Sequence, residues 1–143
     1  MNKDENKIDT LILSGGGPSG IAYIGIFKAL FEKGILKRDL SGIQEIITTS
    51  VGILFSYLYM LNLTQEACEK FIMESDILSM LNYDEIHIDN LLIDYGIFSN
   101  DKIKDILKSF TKHIFHCEDI SLLELYEKIP IQLTVKVFNA TLS

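Results

Sequence analysis

The chain has 143 residues, of which 48% are hydrophobic and 23% charged, and 13 Lys and Arg against 20 Asp and Glu give a formal net charge of −7 at pH 7. This length suits one domain over residues 1–143, and the composition excludes a disordered chain, a collagen-like fibre and a disulfide-stapled miniprotein. The acidic balance argues against nucleic acid as a partner, because phosphate binding needs clustered Lys and Arg. We expect any contact with lipid, including peripheral contact with a membrane, to be apolar.

The cysteines and the apolar runs predict where the protein resides. Cys68 and Cys117 are the only two cysteines, and no motif pairs them, so we expect reduced thiols and an intracellular protein, cytoplasmic or peripheral to a membrane. Residues 1–7 are charged, and no apolar segment of a secretory signal follows them. The longest apolar run, residues 51–63, is shorter than the roughly 20 residues that span a bilayer, which predicts no transmembrane segment.

The first predicted elements are a strand and a helix. Residues 10–13 form a short apolar run that ends at Ser14 and three glycines, a pattern typical of a parallel strand covered on both faces. Apolar residues from Ile21 to Phe31 then recur at helical spacing, and Gly34 is placed to end that helix as a left-handed C-cap.

The next elements follow the same alternation. Residues 44–49 predict a second strand, and a buried helix begins directly after Ser50. Thr64 predicts the N-cap of a helix that runs to about Ser75.

The last elements are predicted from caps and spacing. Ser99 or Asn100 caps a helix with one apolar face, Ser121 forms a capping box ahead of a short helix, and residues 133–138 predict a strand. The order β-α-β-α-α-α-α-β predicts an α/β fold with a mostly parallel sheet and helices on both faces.

The segment from Ser14 to Gly20 is a glycine loop between the first strand and the first helix. Glycines let backbone N–H groups approach an anion, and the loop admits two functional interpretations. The spacing of Gly15, Gly17 and Gly20 matches a dinucleotide-binding fingerprint, although the acidic residue expected near the end of the second strand is absent. The alternative is an oxyanion hole. A tight turn alone explains four glycines in six positions poorly.

A serine turn joins the second strand to the next helix. Ser50 lies two residues before Gly52, the arrangement of a nucleophile elbow except that Thr48 replaces the first glycine. This geometry predicts an exposed hydroxyl beside a helix N-terminus, where developing negative charge is stabilised. We expect the hydroxyl to face the amide groups of the glycine loop.

Together, the loop and the turn resemble the patatin-like phospholipase family. The resemblance is carried in chain order by LSGGGPSG (13–20), IGIFKAL (24–30), GIL (34–36), IQEIITTSVG (43–52), YGIF (95–98), LLELY (122–126) and VFNAT (137–141). It implies a three-layer α/β sandwich that hydrolyses lipid esters through a Ser–Asp dyad, with no cofactor, no metal and no catalytic histidine. It further implies that Ser50 is the nucleophile, that Gly15, Gly16 and Gly17 form the oxyanion hole, and that Gly20 starts the first helix.

The dyad aspartate has no counterpart in the sequence. The family places it in an Asp-Gly-Gly or Asp-Gly-Ala turn after the last strand predicted here, and these 143 residues contain no Asp-Gly pair. Thr48 adds a second departure, because its β-branched side chain is expected to crowd the elbow. The family often has a basic residue in place of Ser19 and alanine in place of Val51. We therefore expect a truncated or degenerate copy that lacks its C-terminal part and is inactive by itself.

Two alternatives to an enzyme stay open. The first is a non-catalytic lipid-binding or protein-interaction module of the same fold in which Ser50 is inert, and the second is a nucleotide-binding domain that uses the glycine loop.

The other polar side chains are not predicted to form a metal site or a catalytic triad. His113, His116 and Cys117 supply part of a zinc site at most, and we interpret the histidines as solvated or capping. A Ser-His-Asp triad with His87 needs a longer chain and more strands. The remaining carboxylates are interpreted as a solvated face, namely Asp84, Glu85, Asp89 and Asp94.

Overall fold

The computed structural model describes residues 7–74 and 101–137, which form a parallel sheet and the helices around it. The strands are β1 (Thr10–Leu13), β2 (Glu45–Thr48) and β3 (Gln132–Val135). The helices are a 3-10 helix (Gly17–Ile21), α1 (Ala22–Glu32), α2 (Val51–Met60), α3 (Gln65–Glu74), α4 (Asp101–Phe115) and α5 (Leu122–Lys128). The predicted α/β class and the parallel sheet are confirmed.

The sheet has the order β1-β2-β3 and both pairings are parallel. Thr48 of β2 pairs with Leu13 of β1 and with Val135 of β3. All three strands therefore end at one edge of the sheet. Because Ser14 follows β1 and Ser50 follows β2 at that edge, the topology alone brings the two functional candidates of the sequence to the same side of the molecule.

The core lies against one face of the sheet. Leu13 and Ile46 point to this face, where they meet Phe55 and Leu58 of α2, and all four side chains are buried. Side chains alternate along a strand, so Ile12 points to the opposite face, and it is 75% exposed. The prediction that β1 is covered on both faces is thus wrong for the described residues. Helix α2 packs against β1 and β2 on the side of Leu13 and Ile46, so the described part of the core lies on that side only.

Local signals in the sequence predicted the helix ends well. Gly34 adopts a φ of +65°, and the N–H groups of Gly34 and Ile35 donate to the carbonyls of Phe31 and Leu30 at the end of α1. This pair of bonds is a Schellman motif. Thr64 Oγ1 accepts from the N–H of Ala67 at the start of α3. Both predicted caps are confirmed.

The capping box of α5 is confirmed by two reciprocal hydrogen bonds. Ser121 Oγ accepts from the Glu124 N–H at 3.2 Å, and the Ser121 N–H donates to Glu124 Oε2 at 2.8 Å. The caps predicted at Ser99 and Asn100 lie outside the described residues. β3 begins at Gln132 and ends at Val135, whereas the apolar pattern predicted residues 133–138. It ends early because the bond from the Lys136 N–H to the Thr48 carbonyl is the last one between β3 and β2.

Candidate functional site

The glycine loop leaves the end of β1 and becomes the 3-10 helix. Pro18 occupies the first turn of that helix, and the Ser19 N–H donates to the Gly16 carbonyl at 3.1 Å. Gly17 has a φ of +51°, in the left-handed region that favours glycine. Gly15 and Gly16 are exposed to solvent, whereas Gly20 is buried. The loop thus presents its first two glycines outward.

Ser50 forms the turn between β2 and α2 and is exposed. Its backbone dihedrals are φ 52° and ψ −132°, a sparsely populated region that costs a non-glycine residue on the order of 1–3 kcal/mol. Surrounding bonds hold this conformation, because the Ile53 N–H donates to the Ser50 carbonyl and the Thr49 N–H to the Leu13 carbonyl. The strain is therefore built into the junction of strand and helix.

Gly15 lies directly against Ser50. A Cβ atom added to Gly15 would lie 2.9 Å from Ser50 Cβ and 3.5 Å from Ser50 Oγ. The same construction on Gly16 and Gly17 meets no atom of Ser50 within 4 Å. The structure therefore brings the first glycine of the loop and the serine together, with the other two glycines of the predicted oxyanion hole further along the loop.

Two more glycines allow the start of α2 to approach its neighbours. A Cβ atom on Gly52 would lie 2.6 Å from the Leu13 carbonyl oxygen, and one on Gly20 would lie 2.7 Å from both Cγ atoms of Val51. Both distances are far below van der Waals contact, so no side chain fits at either position. These glycines set the distance between the serine turn and the glycine loop.

Thr48 occupies the position where the elbow pattern has its first glycine. Its side chain is 2% exposed, and its Oγ1 has no hydrogen-bond partner among the described residues. That oxygen lies 2.7 Å from the place where a Cβ atom on Gly52 would be. Thr48 and Gly52 are thus packed against each other beneath the serine turn.

Residues 11–141, which include the glycine loop and the serine turn, match the family model of patatin-like phospholipases. The chain belongs to the patatin-like phospholipase family. The resemblance found in the sequence is thereby confirmed over nearly its whole length.

One curated relative of this patatin-like chain is a protein of Acanthamoeba polyphaga mimivirus named Uncharacterized protein R571. The two are 23% identical over 130 residues, which cover 91% of this chain and 43% of that protein. The chain therefore spans less than half the length of the relative. No solved structure matches the chain significantly.

An apolar cavity of about 270 Å³ opens one turn of α2 beyond Ser50. Ile53 of α2, Leu122 of α5 and Val135 of β3 contribute to its wall. The charged residues in its wall include Lys104, Lys108 and Asp119. Lys108 Nζ forms an ion pair with Asp119 Oδ2 at 3.5 Å. The patatin-like chain thus has apolar space beside α2, the helix that begins directly after Ser50.

The remaining polar candidates stand apart from this site. His113 and His116 are exposed, and the described residues contain no group of three or more His, Cys, Asp or Glu side chains placed to hold a metal ion. Cys68 is buried, Cys117 is half-buried, and both are free thiols. His87 and the carboxylates of residues 84, 85, 89 and 94 lie outside the described residues. Across residues 7–74 and 101–137, no helix combines the length and the apolar character needed to cross a bilayer.

The sequence did not reveal Tyr23 as part of the site. Its hydroxyl donates to the Ser14 carbonyl at 2.9 Å, at the start of the glycine loop. Tyr23 falls among the apolar positions of α1, so its helical spacing indicates packing rather than a polar contact. Only the fold shows that the first turn of α1 returns past the end of β1.

Proposed function

We propose that Ser50 is the nucleophile of a serine acyl hydrolase that cleaves lipid esters. The observation that carries the proposal is the contact of Gly15 with an exposed serine held in a strained strand-to-helix turn. Strained backbone at an exposed polar residue is common at functional sites. Membership of the patatin-like phospholipase family supports lipid esters as the substrate class.

The chemistry proposed for Ser50 is acyl transfer in two steps. Ser50 Oγ attacks the ester carbonyl carbon, the bond to the alcohol oxygen breaks, and the alcohol leaves with a proton. Water then releases the acyl group from Ser50 as a carboxylic acid. The N–H groups of Gly15, Gly16 and Gly17, together with the N-terminus of α2, are the proposed donors and dipole for the oxyanion of each tetrahedral intermediate.

The proton acceptor for Ser50 is missing from the described residues. None of their side chains makes a hydrogen bond to Ser50 Oγ, and the family aspartate expected in an Asp-Gly turn has no match in the sequence. We propose that the described residues supply the nucleophile and the oxyanion loop, and that the general base lies outside them. Oxyanion stabilisation without the base still leaves roughly 10³-fold acceleration over water in serine enzymes. We therefore expect Ser50 to be acylated slowly by a reactive probe, while the chain by itself stays inactive towards lipid esters.

The apolar cavity beside α2 supports a lipid as the substrate. Leu122 lines the cavity and is 60% exposed, and its neighbour Leu123 is 68% exposed. Val137, which follows β3 at the edge that carries Ser50, is 76% exposed. We propose that these side chains contact the apolar part of a lipid surface, because a chain with a net charge of −7 gains no attraction from anionic headgroups.

A fluorophosphonate probe tests the proposed nucleophile. We expect the folded chain to gain one probe adduct by intact mass, and we expect Ser50→Ala to abolish the adduct. Ser41→Ala, which alters an exposed serine ahead of β2 at the opposite edge of the sheet, is the matched control and retains the adduct.

A folded chain without any adduct would overturn the enzyme proposal. The same chain would then fit a non-catalytic lipid-binding or interaction module of the patatin-like fold. Binding of ATP or NAD that weakens on Gly17→Ala would instead favour a nucleotide site in the glycine loop.

A further inference from the structure

Tyr23 connects helix α1 to the peptide that opens the glycine loop. Its hydroxyl donates to the Ser14 carbonyl at 2.9 Å and lies 3.3 Å from Ser14 Oγ. A phenol has one proton to donate, and Tyr23 donates it to the Ser14 carbonyl. In the second contact the Ser14 hydroxyl is therefore the donor and the Tyr23 oxygen the acceptor. Tyr23 therefore holds Ser14 through both its backbone and its side chain.

The hydrogen bond to Ser14 has a direct consequence for Gly15. The Ser14 carbonyl and the Gly15 N–H belong to one planar trans peptide unit, so they point in opposite directions. When Tyr23 fixes the direction of the carbonyl, it also fixes the direction of the N–H. Gly15 is the glycine that contacts Ser50, with 3.5 Å between its added Cβ position and Ser50 Oγ.

The carbonyl before Ser14 is held by a different partner. The Leu13 carbonyl accepts from the Thr49 N–H at 3.3 Å, which links the end of β1 to the serine turn. The two consecutive carbonyls ahead of the loop are thus anchored separately, one by the serine turn and one by Tyr23. Only the hydrogen bond from Tyr23 acts on the Ser14–Gly15 peptide, which carries the Gly15 N–H.

The ring of Tyr23 is held independently of its hydroxyl. It packs against Phe55 with 5.7 Å between ring centroids, and Phe55 is 1% exposed in the core. Replacing Tyr23 by Phe keeps this packing and removes only the hydroxyl. The hydrogen bond can therefore be tested with little disturbance of the core.

We propose that Tyr23 is a positioning residue for the oxyanion loop, acting through the Ser14–Gly15 peptide. The inference rests on the proposed function of Ser50, because a loop that binds no oxyanion has no catalytic use for a fixed N–H. Tyr23 itself contacts neither Ser50 nor the reacting atoms in this scheme. Its effect falls on the acylation step rather than on the binding of the lipid.

The first test measures how fast the full chain reacts with a fluorophosphonate over a range of probe concentrations. We expect Tyr23→Phe to lower the maximal labelling rate about tenfold, less than the roughly 100-fold loss caused by deleting an oxyanion donor, and to leave the half-saturating concentration unchanged. Tyr126→Phe, at a half-exposed tyrosine of α5, is the matched control and keeps the wild-type rate. An unchanged rate in Tyr23→Phe, with the wild type reacting, would overturn the inference.

Ser14→Ala separates the two contacts of Tyr23. It removes Ser14 Oγ and keeps the carbonyl that accepts from Tyr23, so we expect a smaller loss of rate than in Tyr23→Phe. An equal or larger loss would show that the side chain, and not the peptide, carries the effect.

The second test is independent of reactivity. We expect the NMR order parameter of the Gly15 amide to fall in Tyr23→Phe and to stay at its wild-type value in Tyr126→Phe. An unchanged order parameter would overturn the positioning role even if the wild type reacts with the probe. A wild type that does not react, combined with a lower order parameter in Tyr23→Phe, would refute the proposed nucleophile and retain the positioning of the loop.

Discussion

Gly15 and Ser50 are separated by 34 residues in sequence and are in contact in the fold, since a Cβ atom on Gly15 would lie 2.9 Å from Ser50 Cβ. The contact leaves no room for a side chain at residue 15. The glycine loop and the serine turn are thus packed against each other at this point.

We predict that Gly15→Ala displaces the loop from Ser50. The added methyl group costs about 1–3 kcal/mol of folding free energy through overpacking, and a shift of about 1 Å in a catalytic group lowers a rate up to about 100-fold. Fluorophosphonate labelling and chemical denaturation measure the two effects.

The matched control for that substitution is Gly25→Ala. Gly25 lies within α1, and an added Cβ atom would meet nothing within 4 Å. Alanine at such a position stabilises a helix by about 1 kcal/mol relative to glycine. If both variants were equally stable and reactive, the contact between Gly15 and Ser50 would have no energetic importance.

Thr48→Gly is predicted to leave the Ser50-dependent labelling rate unchanged or to raise it. The substitution removes an oxygen that packs 2.7 Å from the Cβ position of Gly52, and it restores the small residue that the elbow pattern contains. The variant loses about 1 kcal/mol of stability or more, because glycine loses more backbone entropy on folding and the buried Thr48 side chain is removed. Labelling is therefore measured well below the unfolding midpoint, where a large loss of rate would contradict the crowding argument.

Leu123→Glu is predicted to weaken binding to phosphatidylcholine vesicles at least about tenfold, since burial of one leucine contributes roughly 1.5–3 kcal/mol. Met73→Glu is the matched control, because Met73 is 85% exposed on α3. Co-sedimentation with the vesicles measures the effect. Equal binding by both variants would remove Leu123 from the proposed lipid contact.

Cys68 is predicted to make the protein less stable in alkaline solution. Burial raises the pKa of its thiol from the ordinary value of 9.0 to about 11. Between these values the folded protein keeps a proton that the unfolded chain releases, so the free energy of unfolding falls as the pH rises. Cys68→Ala should reduce this slope between pH 9 and 11 in denaturation experiments. A slope equal to that of the wild type would refute the assignment, and Cys117→Ala is the control for loss of a thiol.

The sequence alone predicted the features that depend on neighbouring residues. Gly34 ends α1 because only glycine takes its positive φ without strain, and Ser121 starts α5 because its side chain reaches an N–H three residues away. In each case the interacting groups lie within one turn of chain, so the pattern of residue types contains the whole interaction.

The sequence predicted that Ser50 faces the glycine loop, but only the tertiary structure shows which residues meet there. The parallel pairing of β1 with β2 places Gly15 against Ser50, and the turn from the glycine loop into α1 brings Tyr23 back to Ser14. The exposure of Ile12 likewise follows from the packing of the described helices on the opposite face of the sheet. The contact of Gly15 with Ser50 joins residues far apart in the chain, and its free energy depends on a register and a crossover direction that no local pattern specifies.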